Sequence, residues 1–91
     1  MEIKEFFWTE KTIVHIARHK VLPDEVEEVA FDDDPYVRKG KQGVRSLFGQ
    51  TVTGKYLFIV YVLDKDSVAE VVTAREMSAK ERKYYKREGA K

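Results

Sequence analysis

The sequence has 91 residues and a mass of 10.6 kDa, the size of a single domain with one hydrophobic core. Its 43% hydrophobic and 36% charged residues, with five glycines and two prolines, exclude collagen-like and disordered chains. The sequence has no cysteine, which excludes disulfide frameworks, thiolate zinc sites and cysteine nucleophiles.

The first third of the chain predicts one strand followed by two helices. Residues 2–8 alternate loosely and are rich in β-forming side chains, so we expect a strand there. Thr9 can cap a helix over about residues 10–19, where apolar side chains recur at helical spacing. Pro23 suits the first turn of a second helix, and the sequence Asp-Asp-Asp-Pro at residues 32–35 ends it, because the residue before proline avoids the helical conformation.

The rest of the chain predicts four strands and a last helix. The strands cover residues 36–39, 44–52, 56–63 and 67 to about 75, and a capping box formed by Ser78 and Glu81 opens a helix to about residue 88. Segment 56–63 is apolar on both faces, which indicates a central strand, and it is too short for a membrane helix of ~18 residues. We therefore expect one α+β domain over residues 1–91, with an antiparallel sheet in the order β-α-α-β-β-β-β-α.

Charge is segregated along the chain although the formal net charge is only +1. Residues 21–35 carry seven acids and no base, residues 36–56 carry five bases and no acid, and residues 75–91 carry seven bases and three acids. If the fold brings the two basic segments together, they form one basic surface that attracts phosphate groups. The alternative is that these charges only solvate the surface of a small domain.

Three stretches of the sequence, in chain order, carry recognisable motifs. Trp8 precedes a helix ending in Arg18-His19 and the acid-led segment PDEVEEV at residues 23–29. Residues 49–61 read GQTVTGKYLFIVY, and VTAR at residues 72–75 is followed by the pattern S-x-x-E-R-x-x-Y at residues 78–85. In this order the three stretches resemble the BrnT family of type II toxins. The resemblance implies a RelE-like fold, ribonuclease activity in the cytoplasm, and a ribbon-helix-helix antitoxin as partner, in a possible hetero-oligomer. Lys20 departs from the family, which usually has glycine after the histidine.

Metal-independent RNA cleavage needs a base for the 2′-OH proton, an acid for the leaving 5′ oxygen, and cations for the phosphorane charge. Arg75 is the candidate cation, because it ends a strand and a guanidinium binds phosphate in a bidentate manner. The alternative is a surface ion pair with an acid of the second helix. Glu81 can act as a general base, can orient Arg75, or can only bond back to the cap of the last helix, the role we favour.

Further candidates lie on the helices. Arg82 and Tyr85 are three residues apart, on one helical face, and Tyr85 can stack on a base, protonate a leaving group, or simply pack on the sheet. His19 matches the family pattern and can be an acid or a base, although a histidine at a helix end often only pairs with the helix dipole. His15 and His19 have a metal-binding spacing but no third ligand, so we expect no metal site and no cofactor.

Arg45, Lys55 and Lys83 are the predicted RNA-binding residues, and RNA is the predicted partner besides the antitoxin. We therefore expect an endoribonuclease toxin that does not interact with membranes. Two other functions stay open: a non-catalytic RNA- or partner-binding module on the same fold, and a structural protein with a solvated charged surface.

Overall fold

Five strands form one sheet and three helices pack against it in the computed structural model, which describes residues 2–32 and 34–89. The elements are β1 (Glu5–Phe7), α1 (Glu10–Ala17), α2 (Pro23–Phe31), β2 (Tyr36–Lys39), β3 (Val44–Gln50), β4 (Tyr56–Leu63), β5 (Val68–Glu76) and α3 (Ala79–Glu88). The predicted α+β class and the predicted element order are confirmed. Within the described ranges, no helix has the length and apolar composition needed to cross a bilayer.

The strand order in the sheet is β1-β5-β4-β3-β2. The pairs β2–β3, β3–β4 and β4–β5 are antiparallel, as predicted from the short turns between them. Strand β1 pairs with β5 in a parallel manner, which the antiparallel prediction did not include. The two helices and three other strands lie between β1 and β5 in the chain, so no short turn fixed their relative direction.

Both faces of the central strand β4 are packed, as its continuous apolar sequence predicted. On one face, Leu57, Ile59 and Tyr61 are fully buried in a core shared with α1 and α2, and we call it the α1/α2 face. On the other face, Tyr56 and Phe58 pack with residues of α3, and we call it the α3 face. Strand alternation assigns every other residue of β4 and its cross-strand partners to the same face.

The predicted helix caps are present. The Thr9 side chain accepts the N–H of Thr12 at the start of α1, and Pro23 occupies the first turn of α2. Helix α1 ends at Ala17, earlier than predicted, because the chain then turns with Lys20 in the left-handed conformation at a φ of 62°. Glycine is the residue favoured in this conformation, so Lys20 occupies a position that suits the glycine of the BrnT pattern.

Candidate functional site

A row of aromatic rings crosses the α3 face. The Tyr36, Tyr84, Phe48 and Phe58 rings contact one another in that order, with centroid separations of 5.8, 5.3 and 5.0 Å. We call these four residues the aromatic row. Strands β2, β3 and β4 each contribute one ring, and α3 contributes Tyr84.

Cations lie over two rings of the aromatic row, Phe58 at one end and Tyr84 next to the other end. The Arg75 guanidinium carbon is 4.7 Å from the Phe58 ring centre, and those of Arg38 and Arg87 are 5.6 and 5.7 Å from the Tyr84 ring centre. These distances are within the range of cation–π attraction. Because Arg38 and Arg87 come from the two separate basic segments, the fold brings these segments onto one surface.

Arg75 is held in place by a two-point ion pair. Its Nη1 and Nη2 donate to the two carboxylate oxygens of Glu81 at 2.7 and 2.8 Å, and Nη1 also donates to the Glu76 carbonyl. The hydrogen bonds that Arg75 donates to Glu81 are the largest cause that raises the pKa of Arg75. The ion pair uses an acid of α3, and not of the second helix as the alternative interpretation expected. Contacts with the described residues, 2–32 and 34–89, engage three of the five guanidinium N–H groups, so two remain among them for a further acceptor.

Glu81 both caps α3 and orients Arg75. Its carboxylate accepts the Ser78 backbone N–H at 2.8 Å, and the Ser78 hydroxyl accepts the Glu81 N–H at 3.2 Å, so the predicted capping box is confirmed. The hydrogen bonds from Arg75 are the largest cause that lowers the pKa of Glu81. A carboxylate stabilised in its charged form is a weak proton acceptor, and this geometry favours the positioning role over the general-base role.

The structure assigns different positions to two adjacent tyrosines of α3. Tyr85, the predicted catalytic residue, is only 6% exposed and packs in the core beside Met77 and Phe48. It therefore occupies the packing role that was the alternative for it. Tyr84 is partly exposed, and its hydroxyl lies 3.3 Å from that of Tyr36.

Tyr84 was missed by the sequence-based reasoning. Hydrogen bonds from Tyr36 and Arg38 lower the pKa of Tyr84, whereas the bond to Tyr84 raises the pKa of Tyr36. Tyr84 is therefore the more acidic phenol of the pair. The sequence does contain a pattern that indicates Tyr84: it follows Glu81 by three residues, so the two side chains lie on the same side of α3.

The other predicted residues of α3 lie at the edge of this site. Arg82 lies over the Tyr56 ring, 4.9 Å from its centre, and Lys86 lies 5.6 Å from the same centre. The Tyr85 ring also contacts Tyr56, so the predicted pair of Arg82 and Tyr85 does meet, at the Tyr56 ring. Lys83 is exposed on the helix surface.

The predicted RNA-binding residues Arg45 and Lys55 lie away from the aromatic row. Arg45 pairs across the strands with Tyr61, so it lies on the α1/α2 face, opposite to Arg75. Lys55 donates through its ammonium group to both carboxylate oxygens of Glu25 at 3.1 Å and to the Lys20 carbonyl at 2.7 Å. These contacts join the β3–β4 turn to the start of α2, and they engage the group that would bind phosphate.

His19 lies on the α1 side of the molecule. Its ring contacts the His15 ring edge-on, with a centroid separation of 5.4 Å, and His15 Nε2 is 3.1 Å from the Thr73 hydroxyl on β5. Thr73 precedes Arg75 by two residues, so the histidines approach the candidate site along β5. The catalytic role of His19 stays a prediction. Within residues 2–32 and 34–89, no group of three or more histidine, aspartate or glutamate side chains is placed to hold a metal ion.

No family model and no curated protein matches the sequence. The functional interpretation therefore depends on the geometry of the α3 face and on the motifs described above.

Proposed function

We propose that the chain is an endoribonuclease that cleaves RNA on the α3 face without a metal ion. The observation that carries this proposal is the position of Arg75, which Glu81 and Phe58 hold at the end of a cation-covered aromatic row. Arginine side chains bind phosphate, and aromatic rings stack on unpaired bases, so this combination suits single-stranded RNA.

The proposed reaction is attack of a ribose 2′ oxygen on the adjacent phosphorus, with the 2′-OH proton passing to a solvent water molecule, which later returns a proton to the Tyr84 phenolate. The new P–O2′ bond forms while the P–O5′ bond breaks, which leaves a 2′,3′-cyclic phosphate and a 5′ hydroxyl. The two free N–H groups of Arg75 stabilise the negative charge of the phosphorane. Tyr84 donates its phenolic proton to the leaving 5′ oxygen, and its lowered pKa makes this transfer easier.

The resemblance to BrnT toxins supplies the biological part of the proposal. The chain acts in the cytoplasm as the toxin of a type II pair, and a ribbon-helix-helix antitoxin neutralises it. Expression of the chain alone should arrest bacterial growth, and co-expression of a ribbon-helix-helix protein from a neighbouring reading frame should restore it. Normal growth at good expression of the folded chain would contradict the toxin role.

Substitution of Arg75 tests the cleavage chemistry. Arg75→Ala should lower the rate of RNA cleavage by about 10²–10³, because one stabilising cation is lost from the transition state. It should also relieve the growth arrest. Arg18→Ala, at an exposed arginine at the end of α1, is the matched control and should cleave like the wild type. An Arg75→Ala protein that melts like the wild type and cleaves equally fast would contradict the role of Arg75.

Substitution of Tyr84 tests the proton donor. Tyr84→Phe keeps the ring in the aromatic row but removes the proton, so the cleavage rate should fall by about 10² or more while RNA affinity changes little. Tyr85→Phe is the control, because it removes a phenolic hydroxyl from the adjacent tyrosine, which packs in the core, and it should leave the cleavage rate unchanged. Cleavage by Tyr84→Phe at the wild-type rate would exclude Tyr84 as the acid.

The second candidate function is a non-catalytic RNA-binding module. It is favoured by the packing of Tyr85 in the core and by the engagement of Glu81 with Ser78 and Arg75, since both residues were candidates for a catalytic role. The same assays separate the two functions. Binding of single-stranded RNA without any cleavage, together with normal growth on expression, would favour the binding module.

A further inference from the structure

Part of the α3 face is not covered by α3. Phe7, Glu70, Val62 and Val44 are successive cross-strand partners on β1, β5, β4 and β3, so they form one row across the sheet. In this row Phe7, Val62 and Val44 are 56, 37 and 36% exposed, and the neighbouring Val72 is 54% exposed. We call Phe7, Val44, Val62 and Val72 the apolar patch. Clustered exposed apolar side chains of this kind mark interaction surfaces.

Helix α1 borders the apolar patch and forms a groove with it. The groove has a volume of about 700 Å³ and is lined by Thr9, Thr12 and His15 on one side and by Val62 and Val72 on the other. Lys11 and Glu70 also line it, and neither has an ion-pair partner within residues 2–32 and 34–89. The rim therefore offers one unpaired charge of each sign.

We propose that the apolar patch is the interface with a second copy of this chain, in a dimer with two-fold symmetry. In such a dimer the same surface of both copies meets, so the apolar centre packs on itself and Lys11 of each copy can pair with Glu70 of the other. A rim with both signs is complementary to itself, whereas a phosphate chain would meet the negative charge of Glu70 and the apolar row. The proposal does not depend on ribonuclease activity.

Sedimentation of the purified chain at about 1 to about 200 μM tests the proposal, since this range covers weak dimers. We expect the wild type to form a dimer within this range. Val62→Lys should weaken the dimer by about tenfold or more, because it places a charge in the apolar centre. Val52→Lys is the matched control: Val52 is 89% exposed in the β3–β4 turn, outside the patch, and its substitution should leave the dimer unchanged.

Charge reversal provides a test that does not depend on the patch valines. Glu70→Lys and Lys11→Glu should each weaken the dimer, and the double variant should recover most of the affinity because the pairing is restored with opposite signs. Val72→Lys replaces Val62→Lys if the latter does not melt like the wild type. A monomer over the whole range, equal effects of Val62→Lys and Val52→Lys, or no recovery in the double variant would overturn the proposal.

Discussion

Tyr61 and Arg45 carry polar atoms that are buried without a hydrogen-bond partner within the described part of the chain. They are cross-strand partners on β4 and β3, and the Tyr61 side chain is fully buried in the core of the α1/α2 face. Burial, the largest cause, and the negative charge of Glu2 raise the pKa of Tyr61 against the opposing effect of Arg45, and the resulting pKa is about 12. A buried hydroxyl without a hydrogen-bond partner costs free energy, so the Tyr61 hydroxyl lowers the free energy of unfolding slightly.

Tyr61→Phe should therefore make the protein more resistant to high pH. The Tyr61 pKa is about 12 in the folded chain and about 10 in an unfolded chain. The stability that depends on keeping the Tyr61 proton is therefore fully present below about pH 10. As the pH rises from about 10 to about 12, the unfolded chain loses the proton first, and about 2 kcal/mol of stability is lost. Urea unfolding at about pH 9 and about pH 12 should show this loss in the wild type relative to Tyr61→Phe.

Tyr84→Phe is the control for this measurement. The pKa of Tyr84 is lowered in the folded chain, so the pH dependence of its contribution has the opposite sign. Equal losses of stability in the wild type and in Tyr61→Phe would show that the buried Tyr61 hydroxyl does not control stability at high pH.

At the level of elements, local signals predicted the structure well. The caps at Thr9, Pro23 and Ser78 were identified because a cap involves residues within one turn of each other. Packing between elements that are distant in the sequence could not be predicted from such local signals. Strand alternation relates Arg45 to its neighbours, but which face α3 covers depends on contacts remote in sequence. Helix periodicity likewise separates Tyr84 from Tyr85 without showing which of them faces the sheet.

The turn between α1 and α2 supplies a prediction at the element level. Lys20 has a φ of 62°, a conformation in which a Cβ atom costs about 1 kcal/mol or more. Lys20→Gly removes this strain but increases the freedom of the unfolded chain, so we expect a net gain of about 0.5 kcal/mol. The Lys20 carbonyl that accepts from Lys55 is retained in the variant.

Lys20→Ala separates the backbone effect from the loss of the lysine side chain. Alanine keeps the Cβ atom and therefore keeps the strain, so its free energy of unfolding should not rise. Urea unfolding of the three proteins checks this expectation. A Lys20→Gly protein no more stable than Lys20→Ala would show that the left-handed turn carries no strain.

Over the whole molecule, acidic and basic side chains make different kinds of contact. Three acids of α2 bind neighbouring elements: Glu25 pairs with Lys55, Glu27 accepts from Trp8 Nε1 at 2.7 Å, and Glu28 accepts from the Val52 N–H. Three bases of the α3 face, Arg75, Arg82 and Lys86, lie over aromatic rings of the sheet. A chain with a net charge of only +1 therefore keeps a basic surface on one side.

This distribution predicts RNA binding that weakens as salt concentration rises. Each phosphate contact with single-stranded RNA should contribute about 0.7 to the slope of log affinity against log salt, because bound cations are released. The double variant Arg82→Gln/Lys86→Gln removes two contacts, so it should reduce the steepness of this slope by about 1.4 between about 50 and about 300 mM salt. The control Lys4→Gln/Lys65→Gln removes two exposed lysines from the N-terminal segment and the β4–β5 turn, and it should keep the wild-type slope. Fluorescence anisotropy with a short single-stranded RNA measures these slopes. A flat salt response of the wild type, or the same slope in both double variants, would show that the α3 face does not bind the RNA backbone.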